Sequence, residues 1–261
     1  MCVLSLAVRA HPRWPLLLIG NRDEFHQRPT AALAPWADAP LLGGRDLRAG
    51  GSWLATDGRG RLAVLTNVRD PAAAQEGPSR GALVASFLAG AHAAPAWLDQ
   101  LQPGAAGYAP FNLLLAEGGQ AHWLGNHPAG RHVLPAGVHG LSNAHLNAPW
   151  PKSEHLKQAL SDWIDSGRQD LTPLWDALAD TTVPPAHRLP DTGVGPALER
   201  TLGPVFIKGG HYGTRASTIA GIAADGSGFM AERRFGPDGI AQGQSHWRFD
   251  GQGCFAPVTQ P

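Results

Sequence analysis

The chain predicts an α+β fold. Apolar runs with strand character stand at both ends of its 261 residues, and helical periodicity fills the middle. No repeat, low-complexity tract or linker divides them, so residues 1–261 are expected to form a single domain. Val3-Leu4-Ser5-Leu6-Ala7-Val8 reads as a buried strand and Leu16-Leu17-Leu18-Ile19 as a second. The turn chemistry of His11-Pro12-Arg13-Trp14-Pro15 between them makes the pair a hairpin. Leu62–Thr66 predicts a third strand, and the glycine pairs Gly43-Gly44 and Gly50-Gly51 upstream of it read as a loop ending at Trp53.

From Ser79 to Leu88 the apolar residues fall at helical spacing, with Gly90 as a stop. A short helix is expected over 94–101, ended by Pro103-Gly104. Phe111–Ala116 and Gln120–Leu124 form a hairpin across Glu117-Gly118-Gly119, and Val133–Leu134 and His139–Leu141 add edge strands. Pro151 opens the clearest helix, with Leu156, Leu160, Trp163 and Ile164 on one stripe, and Leu174, Trp175 and Leu178 mark another. Residues 182–204, rich in Pro and Gly, read as the least ordered stretch. Strands over 214–220, 228–234 and 245–249 complete the chain.

The chemistry is concentrated at the start. Cys2 follows the initiator directly, and the only other cysteine is Cys254. Removal of Met1 would leave a thiol and a free α-amine on one residue, with ordinary pKa values near ~8.5 and ~7.8. Nucleophile and base then belong to the same amino acid, the logic of N-terminal-nucleophile amide hydrolysis. A small buried strand cysteine is the competing reading. Gly20-Asn21-Arg22-Asp23-Glu24 follows the strand hairpinned to Cys2. An arginine there would lower the thiol pKa, and an aspartate would orient an amine. Asn67, in Leu65-Thr66-Asn67, and Asn143, in Gly140-Leu141-Ser142-Asn143, are candidate oxyanion donors. Tyr212-Gly213-Thr214-Arg215 offers a further arginine, and Trp53 lies near the same segments. Turn formation and surface ion pairing are the alternatives for these residues.

Formal net charge is +0, which argues against a nucleic-acid surface. Leu16–Ile19 is too short to span a bilayer, and the N-terminus lacks the pattern of a secretion signal, so a cytoplasmic protein is expected. Arginine, alanine, glycine and proline in excess point to a GC-rich bacterial genome. The histidines show no metal-ligand spacing, and neither a phosphate loop nor GxGxxG occurs.

Met1-Cys2, Gly20–Glu24, Gly43-Gly44-Arg45-Asp46, Gly51-Ser52-Trp53-Leu54, Leu65-Thr66-Asn67, Gly140–Asn143 and Tyr212–Arg215 together resemble the NRDE family, also called the transport and Golgi organisation protein 2 (TANGO2) family. The blocks run in the same order from residue 2 to about 220. The resemblance implies a four-layer αββα sandwich of the N-terminal-nucleophile hydrolase type, similar to choloylglycine hydrolases and penicillin V acylases. It implies a catalytic set of Cys2, Arg22, Asp23, Asn143 and Arg215; Asn21, Asn67, Trp53 and Tyr212, in or beside the same segments, are expected to contact a small acyl or amide substrate.

Those relatives read Gly-Arg-Asn-x-Asp where this chain has Gly-Asn-Arg-Asp-Glu. Adjacent Arg22 and Asp23 would point to opposite faces of a strand, unless a bulge or the strand's end intervenes. The expected activity is that of a cysteine amidohydrolase or acyltransferase without metal or cofactor. The competing class is a non-catalytic carrier of haem or an acyl chain, with Cys2, His139, His145 or His211 as haem ligands. A trafficking scaffold is disfavoured, since there are no coiled-coil heptads or amphipathic membrane helix. Substrate and oligomeric state stay open.

Overall fold

The computed structural model describes residues 2–258. Its strands form two seven-stranded antiparallel sheets. The first runs in the order β10 (Gly137–Leu141), β1 (Cys2–Val8), β2 (Leu16–Phe25), β11 (Tyr212–Ile222), β12 (Ser227–Phe235), β13 (Ala241–Asp250) and β14 (Phe255–Pro257). The second runs from β3 (Thr30–Pro35) through β4 (Leu42–Asp46), β5 (Leu54–Thr56), β6 (Leu62–Asn67), β7 (Phe111–Glu117) and β8 (Gln120–Asn126) to β9 (Ala129–Val133).

Strand alternation assigns each face. Leu4, Leu6, Val8, Leu16 and Leu18 meet Leu54, Leu62, Val64 and Leu114 in a core between the sheets. Val3, Ala7, Leu17 and Ile19 face outward onto α3 (Pro151–Asp165) and α4 (Thr172–Leu178) through Leu156, Leu160 and Leu174. On the far side, Ala63, Leu113 and Leu115 pack on α1 (Gly81–Ala89) and α2 (Ala94–Leu101) through Val84, Phe87 and Leu98. The layers are therefore α, β, β, α, the sandwich the resemblance implied. Each fully buried leucine contributes about 1.5–3 kcal/mol, so the central strands, apolar on both faces, anchor the fold. Arg61 ties the second sheet to its helices: it pairs with Asp57 and donates to the carbonyls of Phe87, Leu88 and Gly90 at the end of α1.

The hairpins 2–8/16–25 and 111–117/120–126 form where expected, the latter on Gly118 and Gly119, both at positive φ. The edge strands β9 and β10 do lie at sheet edges. Four expectations are corrected. Residues 42–46 are strand β4, not loop, because Gly43 lets β5 approach: a Cβ there would stand 2.7 Å from the Ala55 Cβ and 2.8 Å from the Leu54 carbonyl. The stretch 182–204 contains α5 (Pro196–Leu202), anchored by buried Leu202 and Glu199. β2 does not end at Ile19 but continues through Asn21, Arg22 and Asp23 to Phe25. A last strand, β14, was not foreseen. Among the described residues no helix is long and apolar enough to cross a membrane.

Candidate active site

Antiparallel pairing brings the start of β1, the end of β2, the start of β11 and the end of β10 to one edge of the first sheet. The end of β6 lies beside them, tied across by Thr66 Oγ1 donating to the Ser142 carbonyl (2.7 Å) and Asn143 Nδ2 donating to the Asn67 carbonyl (2.9 Å). At this edge a cavity of about 260 Å³ is lined by Cys2, Arg22, Asp23, Trp53 and Asn67. That is slightly below the roughly 300–1,000 Å³ of ligand pockets in general, and suits a small reacting group.

Cys2 pairs with Arg22 in register, so both side chains leave the sheet on the inter-sheet face shared by Leu4 and Leu6. Ser142 Oγ donates to the Cys2 carbonyl at 2.9 Å and fixes its backbone. The guanidinium of Arg22 lies 4.4 Å over the Trp53 ring, with Glu24 and Asp46 at 3.7 and 3.8 Å. Burial pushes the Cys2 thiol above its ordinary pKa, and the carboxylates of Asp23 and Glu24 push the same way. Arg22 opposes them without reversing the direction.

Trp53 in turn stands against Gly44, where a Cβ would come within 2.2 Å of the indole. Gly44→Ala is therefore expected to displace Trp53 from beneath Arg22 and to destabilise the fold by about 1–3 kcal/mol. Thermal unfolding checks the second effect, and a changed rate of Cys2 alkylation checks the first.

The strand is regular at Arg22 and Asp23, and the register shift falls opposite them, between Thr214 and Ala216. Arg22 and Asp23 thus lie on opposite faces of β2, and both border the cavity because it wraps the strand ends. Asp23 Oδ1 accepts from Thr214 Oγ1 at 2.7 Å. Burial raises the pKa of its carboxyl, while Lys152 pulls it back down.

Other candidates sit elsewhere. Asn21 faces the helices: its Nδ2 donates to the carbonyls of Leu178 (2.8 Å) and Val205 (2.9 Å), and its Oδ1 accepts from Ser217 Oγ (2.6 Å). It joins layers and does not line the cavity. Arg215, the bulged residue of β11, donates through Nη1 to the carbonyls of Phe25, His26 and Arg28. It fixes the turn after β2 and borders a neighbouring cleft, not the Cys2 cavity. Asn143 holds Asn67 in place from behind. Asn67 itself borders the cavity, and among the described residues its carboxamide has no hydrogen-bond partner. Tyr212 packs edge-on against Phe25, its hydroxyl buried and unpartnered among the described residues, and burial pushes its pKa up.

None of the three candidate haem histidines reaches the cavity. His139 engages the Pro135 carbonyl through Nε2 and Asn147 through Nδ1, His145 meets the Leu146 carbonyl, and His211 is exposed. Among the described residues no cluster of three or more His, Cys, Asp or Glu side chains is placed to hold a metal ion. Both cysteines are free.

Sequence reasoning missed a buried charged group on the helix side: Lys152, Arg69 and Glu199. Arg69 was in plain view two residues after Asn67. Lys152 was hidden in an ordinary helix start, and Glu199 in a stretch read as irregular.

The family model described as Transport and Golgi organisation 2 matches residues 1–237. The chain belongs to the transport and Golgi organisation 2 family. It is 31% identical to the Transport and Golgi organization protein 2 homolog of Bos taurus over 255 residues, covering 89% of this chain and 92% of the relative. The human homolog is 30% identical over 272 residues, covering 95% and 96%. Among solved structures, the mutant C2A conjugated bile acid hydrolase from Clostridium perfringens superposes with a TM-score of 0.55 at 9% identity, covering 100% of this chain and 97% of that one. At that identity the likeness speaks for the fold alone: this family member shares the four-layer αββα sandwich of that structure.

Proposed function

We propose that this protein is a cysteine N-terminal-nucleophile amidohydrolase or acyltransferase acting on a small N-acyl substrate. The supporting observation is the placement of Cys2 across from Arg22 on the wall of a cavity that also takes in Asp23 and Asn67. In this reading Met1 is removed and the freed α-amine of Cys2 takes the thiol proton as Sγ bonds to the substrate carbonyl carbon. The carbonyl π electrons move to oxygen, where the Asn67 amide donates to the oxyanion; one such bond is worth about 3–4 kcal/mol. The C–N bond then breaks, the α-ammonium returns its proton to the leaving nitrogen, and water or an acceptor amine resolves the thioester.

Arg22, Arg28 and Arg80 stand around the cavity. The first two are engaged by Glu24 and Asp46, whereas Arg80 donates to the Pro110 carbonyl and forms no ion pair with a described residue. Asp23, Glu24 and Asp46 line the same cavity, so its carboxylates match its guanidinium groups three for three and set no sign for the substrate's charge. Incubation with a panel of N-acyl amino acids is expected to release free acid and leave a transient acyl mass on the Cys2 peptide; absence of both contradicts the reading. A Soret band on hemin addition, lost on replacing Cys2, would instead favour the haem carrier.

A further inference from the structure

Strand register lays a row of side chains across the first sheet. Cys2 pairs with Arg22, Arg22 with Ala216, and Ala216 with Arg234, so the four stand in line on β1, β2, β11 and β12. Directly opposed residues of an antiparallel ladder share a face, here the one turned towards the second sheet. Ala216 is the small member of the row. Where its methyl group separates Arg22 from Arg234, a cleft of about 490 Å³ opens beside the Cys2 cavity. Thr30, Ala31 and Ala32 of β3 line it as well, and Arg22 and Trp53 border both cleft and cavity.

β11 supplies a third guanidinium. The register shift between Thr214 and Ala216 bulges Arg215, and a bulge re-aims its side chain; Arg215 too lines the cleft. The charges here are not balanced as they are in the cavity. Among the described residues Glu232 is the only carboxylate on the cleft wall, and it accepts from the Leu33 amide at 2.9 Å and meets Arg234 at 3.5 Å. Arg22 has Glu24 and Asp46 at 3.7 and 3.8 Å. Arg215 forms no ion pair with a described residue; its Nη1 donates to the carbonyls of Phe25, His26 and Arg28. Burial and the like charge of Arg22 both press its pKa down. One positive charge is thus left over, which suits a carboxylate better than a doubly charged phosphate, and a guanidinium fork matches a carboxylate in shape. Ala216 stands two strand spacings from Cys2, about 10 Å at roughly 4.8 Å each.

We propose that this cleft is a carboxylate subsite for the Cys2 cavity: Arg215, Arg234 and Arg22 receive a carboxylate that the substrate carries at the end of a linear chain, roughly eight bonds from the atom that Cys2 attacks. The proposal rests on the reading of Cys2 as nucleophile and deepens it by giving the substrate a charge and a length that the cavity alone does not set.

The test is alkylation of the native protein by ω-iodoacetamidohexanoic acid and by its neutral carboxamide, which has the same reach without the charge. Cys2 and Cys254 are followed by peptide mapping, and the acid-to-carboxamide rate ratio at Cys2 is divided by that at exposed Cys254, which cancels the reagents' own reactivity. The acid is expected to show about a tenfold excess at Cys2. Iodoacetate against iodoacetamide, a pair too short to span to the cleft, should show no excess; an equal excess would place the anion site inside the cavity and overturn the proposal. Arg215→Gln and Arg234→Gln should each cut the excess to about threefold or less. If Arg215→Gln, which also frees the turn after β2, does not fold, Arg234→Gln decides alone. A parental ratio near one, or a full excess kept by the folded variants, would overturn the proposal. Cys2 inert to every reagent while Cys254 labels would remove the nucleophile reading as well, whereas fast labelling of Cys2 without preference removes this inference only.

Discussion

Replacing Cys2 by alanine is expected to abolish turnover of N-acyl substrates while leaving the fold intact. Loss of a nucleophile costs roughly 10⁴–10⁶-fold in kcat when no other group can take its place. Cys254 offers no substitute, being exposed in the turn before β14 on the far side of β13 from β1 and β2. Cys2 is itself half-buried at a strand end, outside the three apolar cores. Its truncation should therefore change stability by less than about 1 kcal/mol. Turnover assays alongside thermal unfolding separate the two effects. Residual turnover within tenfold of the parent would mean that the thiol does no chemistry.

Asn21→Leu is expected to do the opposite, with a large loss of stability. Asn21 satisfies the Leu178 and Val205 carbonyls and the Ser217 hydroxyl within a buried seam between β2, α4 and β11. Leucine offers none of these bonds, and each buried group left unpaired costs about 1–3 kcal/mol. A net loss of about 3–5 kcal/mol follows, or roughly 6–20 °C in Tm for a chain of this size. Thermal and urea unfolding measure it. A variant with parental Tm and altered substrate affinity would return Asn21 to the substrate-binding role that the sequence pattern assigned it.

Asn21 also shows where the sequence was legible and where it was not. Local signals carried the strands and helices whose periodicity is set by burial: the β1–β2 hairpin, α2, and the stripe of α3. They failed where a partner distant in sequence decides the conformation. Gly43 and Gly44 look like loop residues until Ala55 and Trp53 are seen to need the space. Phe25 ends β2 because β11 pairs with it that far, a ladder invisible from the polar run 21–24. Alternation alone did foretell that Arg22 and Asp23 diverge. It could not show that a cavity at the strand ends takes in both. The site was legible as a set of segments, through Cys2 and the motif blocks, but individual roles were not. Arg215 and Asn143 turn to backbone carbonyls, and Asn67 borders the cavity.

The most direct test of the central claim is an intact-mass spectrum of the native protein before and after a thiol-reactive acyl electrophile, with the modified peptide mapped. A mass lacking Met1 and one fast acyl adduct on Cys2, ahead of exposed Cys254, are expected. Met1 retained, with Cys2 unlabelled while Cys254 reacts, would contradict it.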